Sequence, residues 1–179
     1  VLFMGRLKNK LLAKILTKHP SLVEKFTDRI GDEGDPLKGV DLSIVPWTSL
    51  KKPLSESKVA IVTTSGVHLK EQTPFDMDDP NGDPTYRELP SDTPLDAYAI
   101  THDYYDHRDA DKDINIVFPV ERMRELAAEG VIGEIAPRNF SFMGHIDGPY
   151  VGVLMEATAK EVAVKLNEDA VDIALLTPG

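Results

Sequence analysis

Two short stretches of this sequence concentrate side chains that could do chemistry. The first, "TTSGVHLKEQ" (63–72), places small hydroxyl residues and a glycine shortly before His68. Such a turn can present backbone N–H groups to an anion such as a carboxylate, and a histidine can act as an acid, a base or a hydrogen-bond donor. The alternative is a plain turn with a surface histidine. The spacing matches neither the phosphate-binding loop nor the dinucleotide fingerprint, so nucleotide binding has no support.

The second stretch, "THDYYDHRDADKD" (101–113), holds His102, His107 and five aspartates. Histidine and aspartate can ligate hard or borderline metals, so a metal-dependent hydrolase is one interpretation. However, the stretch has no H-x-x-E or H-E-x-x-H spacing and does not follow the EF-hand pattern. We therefore favour a solvated loop whose aspartates cap its own backbone, and we predict no metal site.

Two further positions have both a functional and a structural interpretation. In "APRNFSFMGHIDG" (136–148), Arg138 could clamp a carboxylate. We favour a buried loop in which Phe140 and Phe142 pack into the core. Glu156 would be a functional candidate if it were buried, because burial raises the pKa of a carboxyl group. An exposed helical glutamate is the commoner case.

The composition narrows the class of protein. The chain has 179 residues, of which 41% are hydrophobic and 28% charged, which suits a globular fold with a sizeable core. Without cysteine it can form neither disulfides nor zinc–thiolate sites. No apolar run reaches the roughly 20 residues that span a bilayer, and the start lacks a signal-peptide pattern, so we expect no membrane segment and a cytoplasmic location.

Charge is unevenly distributed along the chain. The formal net charge is −10, with twelve acidic and three basic residues in 76–113. This balance argues against nucleic acid as a partner. Residues 1–30 carry seven basic and two acidic residues. This basic segment could dock on an acidic surface, although a solvated amphipathic helix is the favoured interpretation.

The elements that must position these residues follow from periodicity and turn signals. Residues 1–36 are predicted to be a helical segment and linker, and 37–179 an α/β domain. Within that domain, residues 68–95 are predicted to be a long loop. Strands are predicted at 58–67, 96–102, 114–119, 132–136 and 171–176, and helices at 120–130 and 150–170. This alternation predicts an open, mainly parallel sheet flanked by helices, Rossmann-like or flavodoxin-like, and incomplete at its C-terminus.

The carboxyl ends of parallel strands share one sheet edge, where open α/β sheets bind ligands. We expect a substrate site there, lined by Thr64, Ser65, Gly66, Thr177 and Gly179. We expect three histidines to position substrate or transfer protons there: His68, His102 and His107.

Several long phrases occur in a specific order: "PWTSLKKPLSESKVAIVTTSGVHLKEQTPFD" (46–76), "YREL" (86–89), "HDYYDHRDADKDINIVFPVERMRELAAEGVIGEIAP" (102–137), "FMGHI" (142–146) and "VDIALLTPG" (171–179). Over about residues 40–179 the chain resembles the glycine/sarcosine/betaine reductase selenoprotein B family, and within it the D-proline-reductase-like branch.

The resemblance implies an oxidoreductase that cleaves a C–N bond next to a carboxylate, in glycine, sarcosine, betaine or D-proline, with dithiols supplying the electrons. Formally, such an enzyme acts on X–H and Y–H to form an X–Y bond, with a disulfide as acceptor. The family's selenocysteine, or cysteine in some members, would come immediately after Gly179. No catalytic nucleophile is then expected within the 179 residues, and the chain alone is expected to be inactive.

The resemblance also implies partners. No cofactor is expected in this chain, but a partner subunit could carry a pyruvoyl group, and a thioredoxin-like protein could donate electrons. A sheet left partly uncovered after its last strand would favour oligomerisation. A non-catalytic module that binds a small carboxylate or acts as a subunit scaffold stays open as an alternative.

Overall fold

The computed structural model describes residues 48–179, so the predicted helical segment over 1–36 lies outside the described residues. The described part has seven strands: β1 (Lys58–Thr63), β2 (Val67–Leu69), β3 (Tyr86–Pro90), β4 (Tyr98–Ile100), β5 (Glu134–Ile135), β6 (Arg138–Phe142) and β7 (Ile173–Thr177).

Helices alternate with these strands. α1 spans Val120–Ala128, and the long C-terminal helix consists of α2 (Pro149–Val153), a π-helical turn (Leu154–Thr158) and α3 (Ala159–Glu168). Short 3₁₀ helices cover Leu54–Glu56, Leu95–Ala97 and Ile114–Ile116. Within residues 48–179, no helix has the length and apolar character needed to cross a bilayer.

The main sheet is mixed and is organised around β1. This strand pairs in parallel with β7 along one side and with β5 and then β6 along the other. β3 adds to β6 in the antiparallel direction, and β2 and β4 form a separate antiparallel pair. The α/β class and the parallel centre are confirmed. A doubly wound Rossmann-like or flavodoxin-like topology is not confirmed by these pairings.

β1 is central because its side chains are apolar on both faces, as is typical of a parallel strand covered on both sides. Val59 and Ile61 belong to a core cluster that includes Val120 and Met123 of α1. Val62, which points the other way, packs with Phe140, Phe142 and Val162 of α3. The sheet is therefore covered by α1 on one face and by the C-terminal helix on the other. The packing of both phenylalanines is confirmed.

Three local predictions are wrong. Residues 114–119 form a 3₁₀ helix and a buried turn rather than a strand, because Asp113 caps the backbone N–H of Asn115. Residues 68–95 contain β3 rather than a continuous loop, and 138–142 form β6. β6 is buried at four of its five residues, and β3 pairs with it along its whole length, so both strands form despite the flanking prolines.

Candidate functional site

The carboxyl ends of β1, β6 and β7 meet at one edge of the sheet. The backbone N–H of Thr64 donates to the carbonyl oxygen of Thr177 at 3.0 Å. The N–H of Gly66 donates to the carbonyl oxygen of Phe142 at 2.9 Å. The segments 63–66 and 177–179 are therefore brought together as the sequence predicted. Their contact with a substrate stays a prediction.

Ser65 joins these two segments from inside the protein. Its side chain is fully buried, and its hydroxyl lies 2.7 Å from Oγ1 of Thr63 and 3.2 Å from the carbonyl oxygen of Pro178. Gly179 rests directly on it, because a Cβ added to Gly179 would lie 2.6 Å from the Cα of Ser65. A buried, engaged hydroxyl suits a structural role, so the neighbouring exposed Thr64 is the better candidate for contact with a ligand.

The turn after β1 does not form the anion-binding arrangement that its composition suggests. The N–H groups of Thr64 and Gly66 donate to other strands, and that of Ser65 points to Oγ1 of Thr63 at 3.3 Å. All three are thus engaged within the protein. Any anion recognised here must be bound by other groups.

Two glycines allow the close approaches at this edge. Gly66 has φ +72°, and an added Cβ would lie 2.4 Å from the carbonyl oxygen of Thr101. Gly144 has φ +90°, and an added Cβ would lie 2.4 Å from the carbonyl oxygen of Thr64. Both conditions exclude a side chain, because real Cβ atoms do not approach backbone so closely and because this φ disfavours L-residues.

His102 is the predicted histidine that packs against Gly66 of the turn. It is buried, and the Cβ position of Gly66 lies 3.2 Å from its own Cβ. Its Nδ1 accepts the backbone N–H of Tyr104 at 3.1 Å, so the proton of the neutral ring is on Nε2. Burial lowers the pKa of His102 to about 4, and the nearby His107 and His145 act in the same direction. A neutral ring at pH 7 is suited to positioning rather than to donating a proton.

The other two predicted histidines have partners in other segments. His68 is buried in β2, with Nδ1 at 2.8 Å from the carbonyl oxygen of Leu69 and Nε2 at 2.8 Å from Oγ1 of Thr101. His107 lies in the acidic loop and pairs with Asp111 at 2.9 Å. His68 is thus linked to Thr101, the neighbour of His102. Functional roles for both stay predictions.

The acidic loop is organised by its own ion pairs. Asp106 pairs with Arg108, Asp109 with Lys112 at 2.7 Å, and Asp113 accepts from Asn115. The favoured interpretation, a self-capping loop, is confirmed. Among the residues from 48 to 179, no three histidine, aspartate or glutamate side chains are grouped so that they could hold a metal ion.

Arg138 and Glu156 have structural partners. Arg138 begins β6, at the opposite end from the site, and its guanidinium contacts Asp169 at 2.7 Å and Glu168 at 3.1 Å. These carboxylates raise the pKa of Arg138. Glu156 is exposed and pairs with Lys160 one helical turn later. Glu156 is thus the exposed helical glutamate that was favoured, and Arg138 is engaged with carboxylates of the protein itself.

Two residues of this edge were not predicted as site residues. Thr63 is fully buried, and its hydroxyl donates to the carbonyl oxygen of Val117 at 2.9 Å. Tyr105 donates its hydroxyl to the carbonyl oxygen of Ser65 at 3.1 Å, and burial raises its pKa to about 12. Neither residue belongs to a recognisable sequence motif, because each acts through a contact between segments that are distant in the sequence.

A comparison with protein families identifies the chain. Residues 41–179 match the family model described as glycine/sarcosine/betaine reductase selenoprotein B. The chain belongs to this family. The predicted resemblance is thereby confirmed over most of the chain.

Relatives within the selenoprotein B family support the D-proline-reductase-like branch. The chain is 41% identical over 133 residues to D-proline reductase subunit gamma of Acetoanaerobium sticklandii, covering 74% of this chain and 53% of the relative. It is 34% identical over 146 residues to the sarcosine reductase complex component B subunit beta of Peptoclostridium acidaminophilum, covering 74% of this chain and 30% of the relative.

A third relative is the glycine reductase complex component B subunit gamma of Symbiobacterium thermophilum, 31% identical over 146 residues, covering 74% of this chain and 31% of the relative. The chain thus spans between about a third and a half of the length of these relatives. Their names describe them as subunits or components of reductase complexes. No solved structure matches the chain.

Proposed function

We propose that this chain is part of a reductase subunit that cleaves the C–N bond of a small amino acid or amine next to its carboxylate. D-proline is the first substrate to test, because the relative named D-proline reductase subunit gamma has 41% identity. The observation that carries the proposal is the packing of Gly179 on Ser65. A nucleophile directly after Gly179 would start from the carboxyl edge of the sheet, beside Thr64 and His102.

The proposed chemistry balances with a dithiol as the electron donor. A selenolate or thiolate after Gly179 attacks the α-carbon of the substrate, so a bond from selenium or sulfur to carbon forms while the C–N bond breaks and the amine takes a proton. A thiol of the donor then attacks the selenium or sulfur, and the carbon leaves with a proton. The second thiol displaces the nucleophile, leaving a disulfide. D-proline would thereby open to 5-aminopentanoate.

The residues of this edge would hold the reacting groups rather than exchange protons with them. Thr64 would contact the substrate, since it is the exposed member of the turn. His102 would support the turn as a neutral ring. A pyruvoyl group, where the complex uses one, belongs to a partner subunit. A cytoplasmic location and a thioredoxin-like donor are part of the same proposal, because cytoplasmic thiols are kept reduced.

The test is an assay of the complete gene product with its partner subunits. D-proline, sarcosine, betaine and glycine are offered with dithiothreitol, and the reduced products are measured. We expect turnover of at least one substrate, and loss of turnover when the residue after Gly179 is replaced by serine. Binding of a substrate without any turnover would contradict the proposal and favour the non-catalytic binding module.

A further inference from the structure

Hydroxyls from two neighbouring strands converge on one carbonyl oxygen. Thr63, at the end of β1, donates from Oγ1 to the carbonyl oxygen of Val117 at 2.9 Å. Thr177, paired with Thr63 at the end of β7, donates to the same oxygen at 2.8 Å. A carbonyl oxygen has two lone pairs, so these two bonds saturate it.

The hydrophobic core around Val117 holds its backbone in place. Val117 is buried, and Phe118 and Val120 next to it are fully buried. The N–H groups of Val117 and Phe118 both donate to the carbonyl oxygen of Ile114, at 3.1 Å and 2.8 Å. The accepting oxygen is thus attached to the core at the start of α1, and both strand ends are held against it.

Ser65 extends the network to the segment after β7. The hydroxyl proton of Thr63 is used on Val117, so the hydroxyl of Ser65 donates to Thr63 at 2.7 Å, with the carbonyl oxygen of Pro178 as a second acceptor at 3.2 Å. The order of donation is therefore Ser65 to Thr63 to Val117. Pro178 and Gly179 lie at the end of this network.

At the end of β7, side-chain burial does not hold the strand in place. In the described residues β7 pairs only with β1, and the side chain of Leu176 is 72% exposed. The backbone ladder to β1 and the hydroxyl of Thr177 are what hold this end of the strand.

We propose that Thr63 and Thr177, acting together on the Val117 carbonyl, are positioning residues for Pro178, Gly179 and the residue that follows. The inference deepens the proposed function and rests on it for the identity of that next residue. In this role each threonine acts through its hydrogen bond to the Val117 carbonyl. Each sets the direction in which the chain leaves β7, and hence where the nucleophile points.

The test compares Thr177→Val, which removes the hydroxyl at constant shape, with Thr177→Ser, which keeps it. Thr158→Val is the matched control, because the hydroxyl of Thr158 is buried and has no hydrogen-bond partner among residues 48–179. Amide hydrogen exchange of Thr64, whose N–H donates to Thr177, reports on the strand ends in the complete protein. We expect roughly tenfold faster exchange in Thr177→Val, as for the loss of one hydrogen bond, and little change in the other two variants.

Turnover provides the second readout. In an active complex, Thr177→Val should lower kcat with little change in KM, and Thr177→Ser should restore it. Unchanged Thr64 exchange in Thr177→Val would overturn the inference even if the reductase is active. Faster exchange without reductase activity in the wild type would keep the inference and reject the proposed function. If Thr177→Val does not fold, Thr177→Ala and Thr63→Ser are compared in the same way.

Discussion

The side-chain oxygen of Asn139 accepts the backbone N–H of Ile61 at 2.8 Å, inside the sheet. β1 pairs with β5 at Lys58–Val59 and with β6 at Val62–Thr63, and the ladder is interrupted between these points. Asn139 thus supplies the hydrogen bond that the interruption removes. Its Nδ2 donates to the carbonyl oxygen of Leu89 in β3 at 3.3 Å, so one side chain joins three strands.

Asn139→Ala should therefore destabilise the protein strongly. Asn139 is fully buried, so its removal leaves the N–H of Ile61 without an acceptor and without water. We expect the free energy of unfolding to fall by about 2–3 kcal/mol. Urea unfolding measures it, with Asn167→Ala as the control, since Asn167 makes an exposed bond to its own helix. Equal losses in the two variants would contradict the role given to Asn139.

Gly66 and Gly130 have the same φ, +72°, but different surroundings. A Cβ on Gly66 would collide with the carbonyl oxygen of Thr101, whereas a Cβ on Gly130 would meet no atom of the described residues within 4 Å. Gly130→Ala should lower the free energy of unfolding by about 1 kcal/mol, because only the positive φ disfavours an L-residue there. Gly66→Ala should lower it by at least about 2 kcal/mol more, because the backbone must also shift to make room for the Cβ. Thermal unfolding of both variants checks this, and similar losses would show that the close approach is unimportant.

The sequence predicted correctly those elements in which apolar residues recur within one short stretch. β1 has a continuous apolar run, and the two main helices show an apolar stripe, so all three were found. The sequence "INIVFP" has β-branched residues but forms a 3₁₀ helix, because Asp113 caps the turn and Ile116 points outwards. β6 was missed because Asn139 and Ser141 look like loop residues, although the core satisfies them.

The sequence predicts those parts of the candidate site that follow from the direction of the strands. It does not predict the contacts between segments that are distant in the sequence. Thr64 follows β1 and Thr177 ends β7, and the two strands are parallel neighbours, so their meeting could be deduced. The bond from Tyr105 to Ser65 joins segments 40 residues apart, and no local pattern encodes it. The same holds for Val117, whose role arises only because β1 and β7 are neighbours.

Arg138→Gln should show whether Arg138 stabilises the fold or binds the substrate. The guanidinium contacts Asp169 through two nitrogens and also reaches Glu168, so its loss should cost about 1 kcal/mol of folding stability. Arg122→Gln, which removes exposed pairs with Glu121 and Glu125, should cost less. In an active complex KM should stay unchanged, because Arg138 lies at the far end of β6. A large rise in KM would instead restore Arg138 as a carboxylate clamp.

His102 should make the protein less stable as the pH falls from about 6.5 towards 4. Its pKa is about 4 in the folded protein and near 6.5 in the unfolded chain. Between these values the unfolded chain binds more protons than the folded protein, so acidification favours unfolding. The full effect of this group is about 3 kcal/mol, present above pH 6.5 and lost as the pH reaches 4.

Urea unfolding at half-unit steps between pH 7 and pH 4 measures this slope. His102→Asn is the matched variant, because its side-chain oxygen can still accept the N–H of Tyr104 while the group no longer titrates. We expect the slope in this window to be much reduced in the variant. An equal slope in both proteins would mean that other groups cause the acid sensitivity and that His102 is not held neutral by burial. A His102 that is neutral at working pH has no imidazolium proton to give, so His68 and His107 stay the predicted histidines for proton transfer.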